Sequence, residues 1–251
     1  MLQNSQSSLD NNHPIRWVFL DFAGTLAFND PPRVWHYLRA LARRGIFVNR
    51  RDIWAAFNGA WATVDSPGGI EHSHASRSRE SYEAYRAGVE AQILDRLGIE
   101  KDRDQIISEV LAIQDSPTAY TLYPEAREAM QGLDQAGYRV GIVSNFSWDL
   151  PLLVDSLGLS QYVASVITSA QVGYRKPHPR IFQAAMETTG ANPAQSLFVG
   201  DTYDADILGP SELGFKTLLV DRRQNKRHDH PSIRFLTDIL EYLNLSEQPD
   251  L

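Results

Sequence analysis

Cysteine is absent from all 251 residues, which excludes a disulfide framework, a thiolate metal site and a cysteine nucleophile. Long apolar runs are missing too, and none approaches the roughly 20 residues a membrane-spanning helix requires. The opening residues, Met1 to Asn12, have neither the basic start nor the apolar stretch of a secretory signal. Residues 1–14 are therefore read as a disordered tail on a cytoplasmic protein with no membrane role. An excess of positive charge is also lacking. Lys and Arg number 24 against 31 Asp and Glu, and the resulting charge of -7 disfavours nucleic acid as a partner. There is no internal repeat and no low-complexity tract, and nothing in the composition speaks to oligomeric state.

What is present begins with an apolar run, Trp17-Val18-Phe19-Leu20, that ends on Asp21 and breaks at Gly24 and Thr25. This predicts a buried strand with a carboxylate at its C-terminal tip, where ligands bind in open α/β sheets. From about Pro31 to Ser116 the pattern is helical. A first helix carries Val34, Trp35, Leu38, Leu41 and Ala42, and a second, capped by Asn49, carries Ile53, Trp54, Phe57 and Trp61. A third runs from near Ser76 to Gly98, and Asp102 opens a fourth. Residues 31–116 are expected to be a four-helix unit with Trp35, Trp54 and Trp61 in its core.

From Leu122 strand and helix alternate, the signature of a parallel sheet with crossover helices. Strands are expected at Arg139–Val143, around Val166 to Thr168, at Leu197–Gly200 and at Phe215–Val220. Helices are expected after Pro124, through Leu150 to Leu157, from Pro179 to Thr189, from Asp204 to Leu213 and from Ile233 to Leu243. Asp221 to Pro231 mixes both charge signs and reads as a solvated loop. The fold class is α/β, a Rossmann-like sheet of about five strands with the Asp21 strand near its centre. Residues 15–30 and 117–251 form this core, with residues 31–116 inserted.

Several chemistry-bearing residues fall at one edge of such a sheet: Asp21, Ser144-Asn145, Lys176, and Asp201 with Asp206. Singly, each has an ordinary explanation as a turn, a helix cap or a solvated charge. Jointly, a carboxylate, a hydroxyl and amide donor, a cation and an acidic pair make a site for binding and attacking a phosphoryl group.

With these residues in place the chain resembles the haloacid dehalogenase-like (HAD) superfamily of hydrolases. Asp21-Phe22-Ala23-Gly24-Thr25-Leu26 stands where that family has Asp-x-Asp-Gly-Thr-Leu. Val143-Ser144-Asn145 resembles its second motif, Lys176-Pro177-His178-Pro179 its third, and Val199-Gly200-Asp201-Thr202-Tyr203-Asp204-Ala205-Asp206 its fourth. The inserted helices sit where one branch carries a helical cap. The resemblance implies that Asp21 is the nucleophile and that Mg²⁺ is held by Asp21, the backbone carbonyl of Ala23, Asp201 and Asp206. It further implies that Lys176 and Ser144 are catalytic, and that Ser144, Asn145, Lys176, Gly24 and Thr25 meet a small phosphorylated metabolite, with Thr25 mainly supporting the loop.

Ala23 departs from the pattern. The family's phosphatases use an Asp there to protonate the leaving oxygen and then activate water, roles an alanine cannot fill. One reading is a phosphatase or phosphotransferase helped by a residue of the cap, where His72, His74, Arg77, Arg79, Tyr82 and Tyr85 are candidates. Another is a carbon-phosphorus hydrolase resembling phosphonoacetaldehyde hydrolase, which also carries Ala here but needs a cap lysine; this chain has only Lys101, Lys176, Lys216 and Lys226. A non-catalytic phosphate-binding member and a haloacid dehalogenase complete the alternatives.

Overall fold

Strand β1 (Trp17–Leu20) is buried on both faces because successive side chains point to opposite sides of the sheet. Val18 and Leu20 join one core cluster, while Trp17 and Phe19 join the other. The computed structural model describes residues 15–64, 78–225 and 228–246. The expected tail at residues 1–14, together with His72, His74, Arg77 and Lys226, lies outside the described residues.

After β1 a short strand, β2 (Ala27–Asn29), leads, among the described residues, to four helices: α1 (Arg33–Ala42), α2 (Arg50–Val64), α3 (Arg79–Arg96) and α4 (Arg103–Gln114). Each start has a local cause. Asn49 accepts from the Asp52 backbone N–H at the head of α2, and Ser78 with Ser81 forms a reciprocal capping pair at the head of α3. The helices bury a cluster of their own that includes Tyr37, Leu41, Ile53, Ile93, Leu94 and Ile106. None of the three tryptophans expected there belongs to that cluster: Trp35 is 48% and Trp54 45% exposed, and the half-buried Trp61 borders a cavity. The buried stripe of α1 is Val34, Tyr37, Ala40 and Leu41, which leaves Trp35 on its flank.

Strand β3 (Tyr120–Leu122) returns antiparallel to β2, so the helical unit leaves and re-enters the core along a two-stranded ribbon that sequence reading did not foresee. The core continues with α5 (Ala126–Gln135), β4 (Arg139–Ser144), α6 (Leu150–Ser156), β5 (Ser165–Thr168), α7 (Ser169–Val172), α8 (Pro179–Thr189) and β6 (Ser196–Gly200). A π-helical turn (Tyr203–Leu208) and the short α9 (Gly209–Ser211) stand where one regular helix was expected from Asp204 to Leu213. Then come β7 (Lys216–Val220), β8 (Ser232–Ile233) and α10 (Asp238–Ser246).

The main sheet has six strands rather than about five, in the order β5-β4-β1-β6-β7-β8, and every pairing is parallel. The extra strand is β8. Ile233, expected to begin the last helix, instead pairs with Val220, and the helix starts at Asp238. The register decides where the site lies. Leu20 pairs with both Ile142 and Val199, which brings Asp21, Ser144 and Asp201 to one C-terminal edge. Among the described residues no helix is long and apolar enough to cross a membrane.

Candidate active site

Asp21 follows β1 and is buried, its N–H donating to the Val199 carbonyl. One of its oxygens, Oδ1, accepts from Ser144 Oγ at 2.9 Å and from Lys176 Nζ at 2.7 Å. Lys176 also reaches Asp206 Oδ1 at 2.6 Å, and Asp206 Oδ2 accepts from the Thr202 N–H at 2.9 Å. Asn145 borders the same space as Asp21 and Lys176 and also bonds to the lysine backbone. Its Oδ1 accepts from the Lys176 N–H at 2.7 Å and its Nδ2 donates to the Lys176 carbonyl at 3.0 Å, so the amide pins the lysine backbone. Ser144, Asn145, Lys176, Asp21 and Asp206 border a cavity of about 510 Å³, joined by Ala23, Arg175 and Asp204.

Oxygens of Asp21, Asp201 and Asp206 lie within 4.8 Å of one another. Three carboxylates against one ammonium leave two negative charges in excess, the charge a divalent cation would cancel. Two glycines make the cluster possible: a Cβ on Gly24, whose φ is +100°, would overlap the Asp201 carboxylate, and one on Gly200 would overlap that of Asp206. The triad therefore fits a divalent metal on its donor set and on the space kept for it. Hard oxygen ligands with no nitrogen or sulfur suit Mg²⁺ or a similar ion.

The same crowding shifts the ionisation of the cluster. Crowding that buries its carboxyl in the cluster, then repulsion from Asp21 and Asp206, pushes Asp201 up to about 7, although the residue as a whole is exposed, which limits the part burial can play. Burial also raises Asp206, to about 6, against the pull of Lys176. Burial works against the Lys176 charge, but Asp206 and Asp21 outweigh it and hold the ammonium above the usual lysine range.

Gly24 and Thr25 do not border the cavity, and Gly24 lies against the Asp201 carboxylate. Thr25 is fully buried, and Arg222, from the mixed-charge segment expected to be a solvated loop, holds it there. Its Nη2 donates to the Thr25 carbonyl at 2.7 Å, its Nη1 pairs with Glu125, and its guanidinium lies 3.5 Å from the Tyr123 ring centre. A mixed-charge loop has no periodicity from which such a clamp could be read. Of the proposed cap residues, Tyr82 and Tyr85 border a smaller cavity beside the first, whereas Arg79 makes a two-pronged ion pair with Asp149 of the core at 2.6 and 2.7 Å. Among the described residues Lys176 is the only lysine bordering either cavity.

Comparison with known proteins bears on the family and the fold. The chain is 29% identical over 138 residues to haloacid dehalogenase-like hydrolase domain-containing protein 3 of Bos taurus, covering 51% of this chain and 55% of that one. It is 33% identical over 102 residues to the glyceraldehyde 3-phosphate phosphatase of Methanothermobacter thermautotrophicus, covering 39% of this chain and 44% of that one. The matched stretch spans about half the length of these curated relatives. In fold it is similar to the HAD-hydrolase YfnB of Bacillus subtilis, solved bound to magnesium, with a TM-score of 0.72 at 17% identity over 92% of this chain and all of that one. The model of the haloacid dehalogenase-like hydrolases matches residues 15–214, and the chain belongs to that family of hydrolases.

Proposed function

We propose that the protein is a phosphatase-type hydrolase in which Asp21 attacks the phosphorus of a small phosphorylated metabolite. The observation that carries this reading is the bracketing of Asp21 Oδ1 by Ser144 and Lys176 beside the carboxylate triad. Both bonds land on Oδ1, so Oδ2 is the oxygen assigned to attack. The bond from phosphorus to the leaving oxygen then breaks with its electron pair on that oxygen, and water later hydrolyses the aspartyl-phosphate. Lys176 lies against Asp21 Oδ1 and stays charged near the phosphoryl oxygens, while Ser144 can turn its hydroxyl toward one of them. Asn145 holds Lys176 in place from behind. Mg²⁺ would be held by Asp21, the Ala23 carbonyl, Asp201 and Asp206. The chemistry such an ion supplies when bound is charge neutralisation between an anionic nucleophile and an anionic ester. The relative named a glyceraldehyde 3-phosphate phosphatase favours phosphate monoesters of small metabolites.

Ala23 borders the cavity and offers no proton, so esters with poor leaving groups should react slowly. Acetyl phosphate, whose leaving group needs little protonation, should be turned over best. The test is hydrolysis of acetyl phosphate and a panel of phosphomonoesters with Mg²⁺, beside Asp21→Asn. Activity that disappears in the variant supports the reading, and activity that survives it refutes Asp21 as nucleophile. Ala23→Asp should raise ester hydrolysis by as much as about 10²-fold, the low end of general acid-base catalysis.

The exposed Ala23 also supports a second reading, a member that binds a phosphorylated ligand without turning it over. Retained Mg²⁺-dependent phosphate binding with no turnover of any compound would establish it. Phosphonate cleavage through a lysine Schiff base is disfavoured, because Lys101 is exposed at the junction of α3 and α4 and borders neither cavity.

A further inference from the structure

A smaller cavity of about 90 Å³ adjoins the catalytic one, and Asn145 and Arg175 border both. Its far wall comes from the four-helix unit, where Trp61, Tyr82 and Tyr85 supply aromatic surface. Glu90 on α3 is 3% exposed, and its Oε1 accepts from Gln114 Nε2 at 3.0 Å and from Arg33 Nη2 at 3.3 Å. These contacts tie α1, α3 and α4 together, but they use only one carboxylate oxygen. Glu90 Oε2 is buried with no hydrogen-bond partner among the described residues, and so is Trp61 Nε1. Leaving a buried polar atom unpaired is costly, and here two side chains that border the same small space each carry one, an acceptor on Glu90 and a donor on Trp61.

Two of the three guanidiniums around it are paired with carboxylates, and Arg175 is the third. Arg33 faces Glu90, and Arg86 pairs with Asp115 at 2.7 Å. A ligand cation would meet the Arg33, Arg86 and Arg175 guanidiniums, and a second ligand anion would meet Glu90. An ammonium cannot accept from Trp61, and a carboxylate or phosphate cannot donate to Glu90. A neutral hydroxyl does both.

Building on the phosphatase reading, we propose that this cavity receives the end of the substrate remote from phosphorus, and that this end carries an alcohol hydroxyl that donates to Glu90 and accepts from Trp61. The substrate class is thereby a short hydroxylated phosphate monoester. Glu90 and Trp61 set specificity and take no part in bond breaking.

The test compares glycerol 3-phosphate with propyl phosphate, which lacks the hydroxyls, in the full-length protein with Mg²⁺. Glycerol 3-phosphate should be preferred in kcat/KM by about tenfold or more, the worth of one hydrogen bond to a charged group. That ratio should fall toward one in Glu90→Gln, and also in Trp61→Phe, which deletes the N–H and keeps an aromatic ring. Two variants guard against one of them misfolding, and the purely structural role of holding α1, α3 and α4 together would lower both rates without moving the ratio. A ratio near one in the wild type, or a preference for O-phosphoethanolamine or 3-phosphoglycerate over glycerol 3-phosphate, overturns the proposal. If acetyl phosphate is turned over while the ratio is one, only this proposal fails. If no compound is turned over, the phosphatase reading fails instead, and calorimetric binding of the same two esters to the Mg²⁺-loaded protein decides the hydroxyl preference by the same ratio.

Discussion

Lys176 bonds to two carboxylates at once, and a third, Asp201, completes the acidic cluster around Asp21. One ammonium cannot neutralise three acids, so the metal-free site resists full ionisation. Asp201 and Asp206 have folded pKa values of about 7 and about 6, above the ordinary 3.8. A raised acid binds its proton more tightly in the folded state, so the metal-free protein loses stability as pH rises from about 4 to about 7. Divalent cations compete with those protons, and metal affinity should rise across the same window. Melting curves with chelator and with Mg²⁺ at about pH 5 and about pH 8 check both signs. Without metal the Tm should be lower at the higher pH, and the rise produced by Mg²⁺ should be larger there; an equal rise at both would refute the linkage. Asp21, Ser144, Lys176 and Asp201 stood out in the sequence because each ends or follows a strand or precedes a helix, and Asp206 because it falls in the first helical turn after Asp201. The work of Asn145 did not, since its partner is a backbone 31 positions away.

Among the elements, the loop after β1 depends on a residue from the opposite end of the chain. Arg222 follows β7 and fastens the Thr25 carbonyl, with Glu125 and Tyr123 holding its guanidinium flat. Arg222→Gln should lower stability by about 1–2 kcal/mol, because Glu125 is left partly buried without its cation. It should also weaken Mg²⁺ binding, since the Ala23 carbonyl belongs to the same loop; thermal unfolding and metal titration measure the two effects. Unchanged metal affinity in a folded variant would confine the clamp to stability. Element types were readable where periodicity was strong, as in α8, whose span of Pro179–Thr189 matches expectation. They were misread where packing overrode pattern. Gly209 and Pro210 follow a π-helical turn that carries Asp206 into the site, and a helical apolar pattern cannot distinguish that turn from a regular helix.

For the whole molecule, alternation of strand and helix disclosed the parallel sheet, and a long strandless stretch disclosed the inserted helices. Their manner of attachment was hidden. Strands β2 and β3 are only three residues each, too short to show alternation, and they lie about 90 positions apart, as the Asn29 side-chain bond to the Ala119 carbonyl records. The ribbon has a consequence for how this protein can be taken apart. Asn29 stands opposite Tyr120, so the chain departs and returns at neighbouring points of an antiparallel pair. The helical unit occupies the place of a hairpin turn. Replacing residues 30–119 by a two-residue Asn-Gly turn would close that hairpin directly and leave the six-stranded sheet uncut. The shortened protein should fold, bind Mg²⁺ and hydrolyse acetyl phosphate slowly in an open site, while losing any preference between glycerol 3-phosphate and propyl phosphate. Circular dichroism, metal titration and paired rate measurements test each part, and a preference that persists would place substrate selection in the sheet. The chemistry and the choice of substrate would then be separable parts, joined through one removable loop.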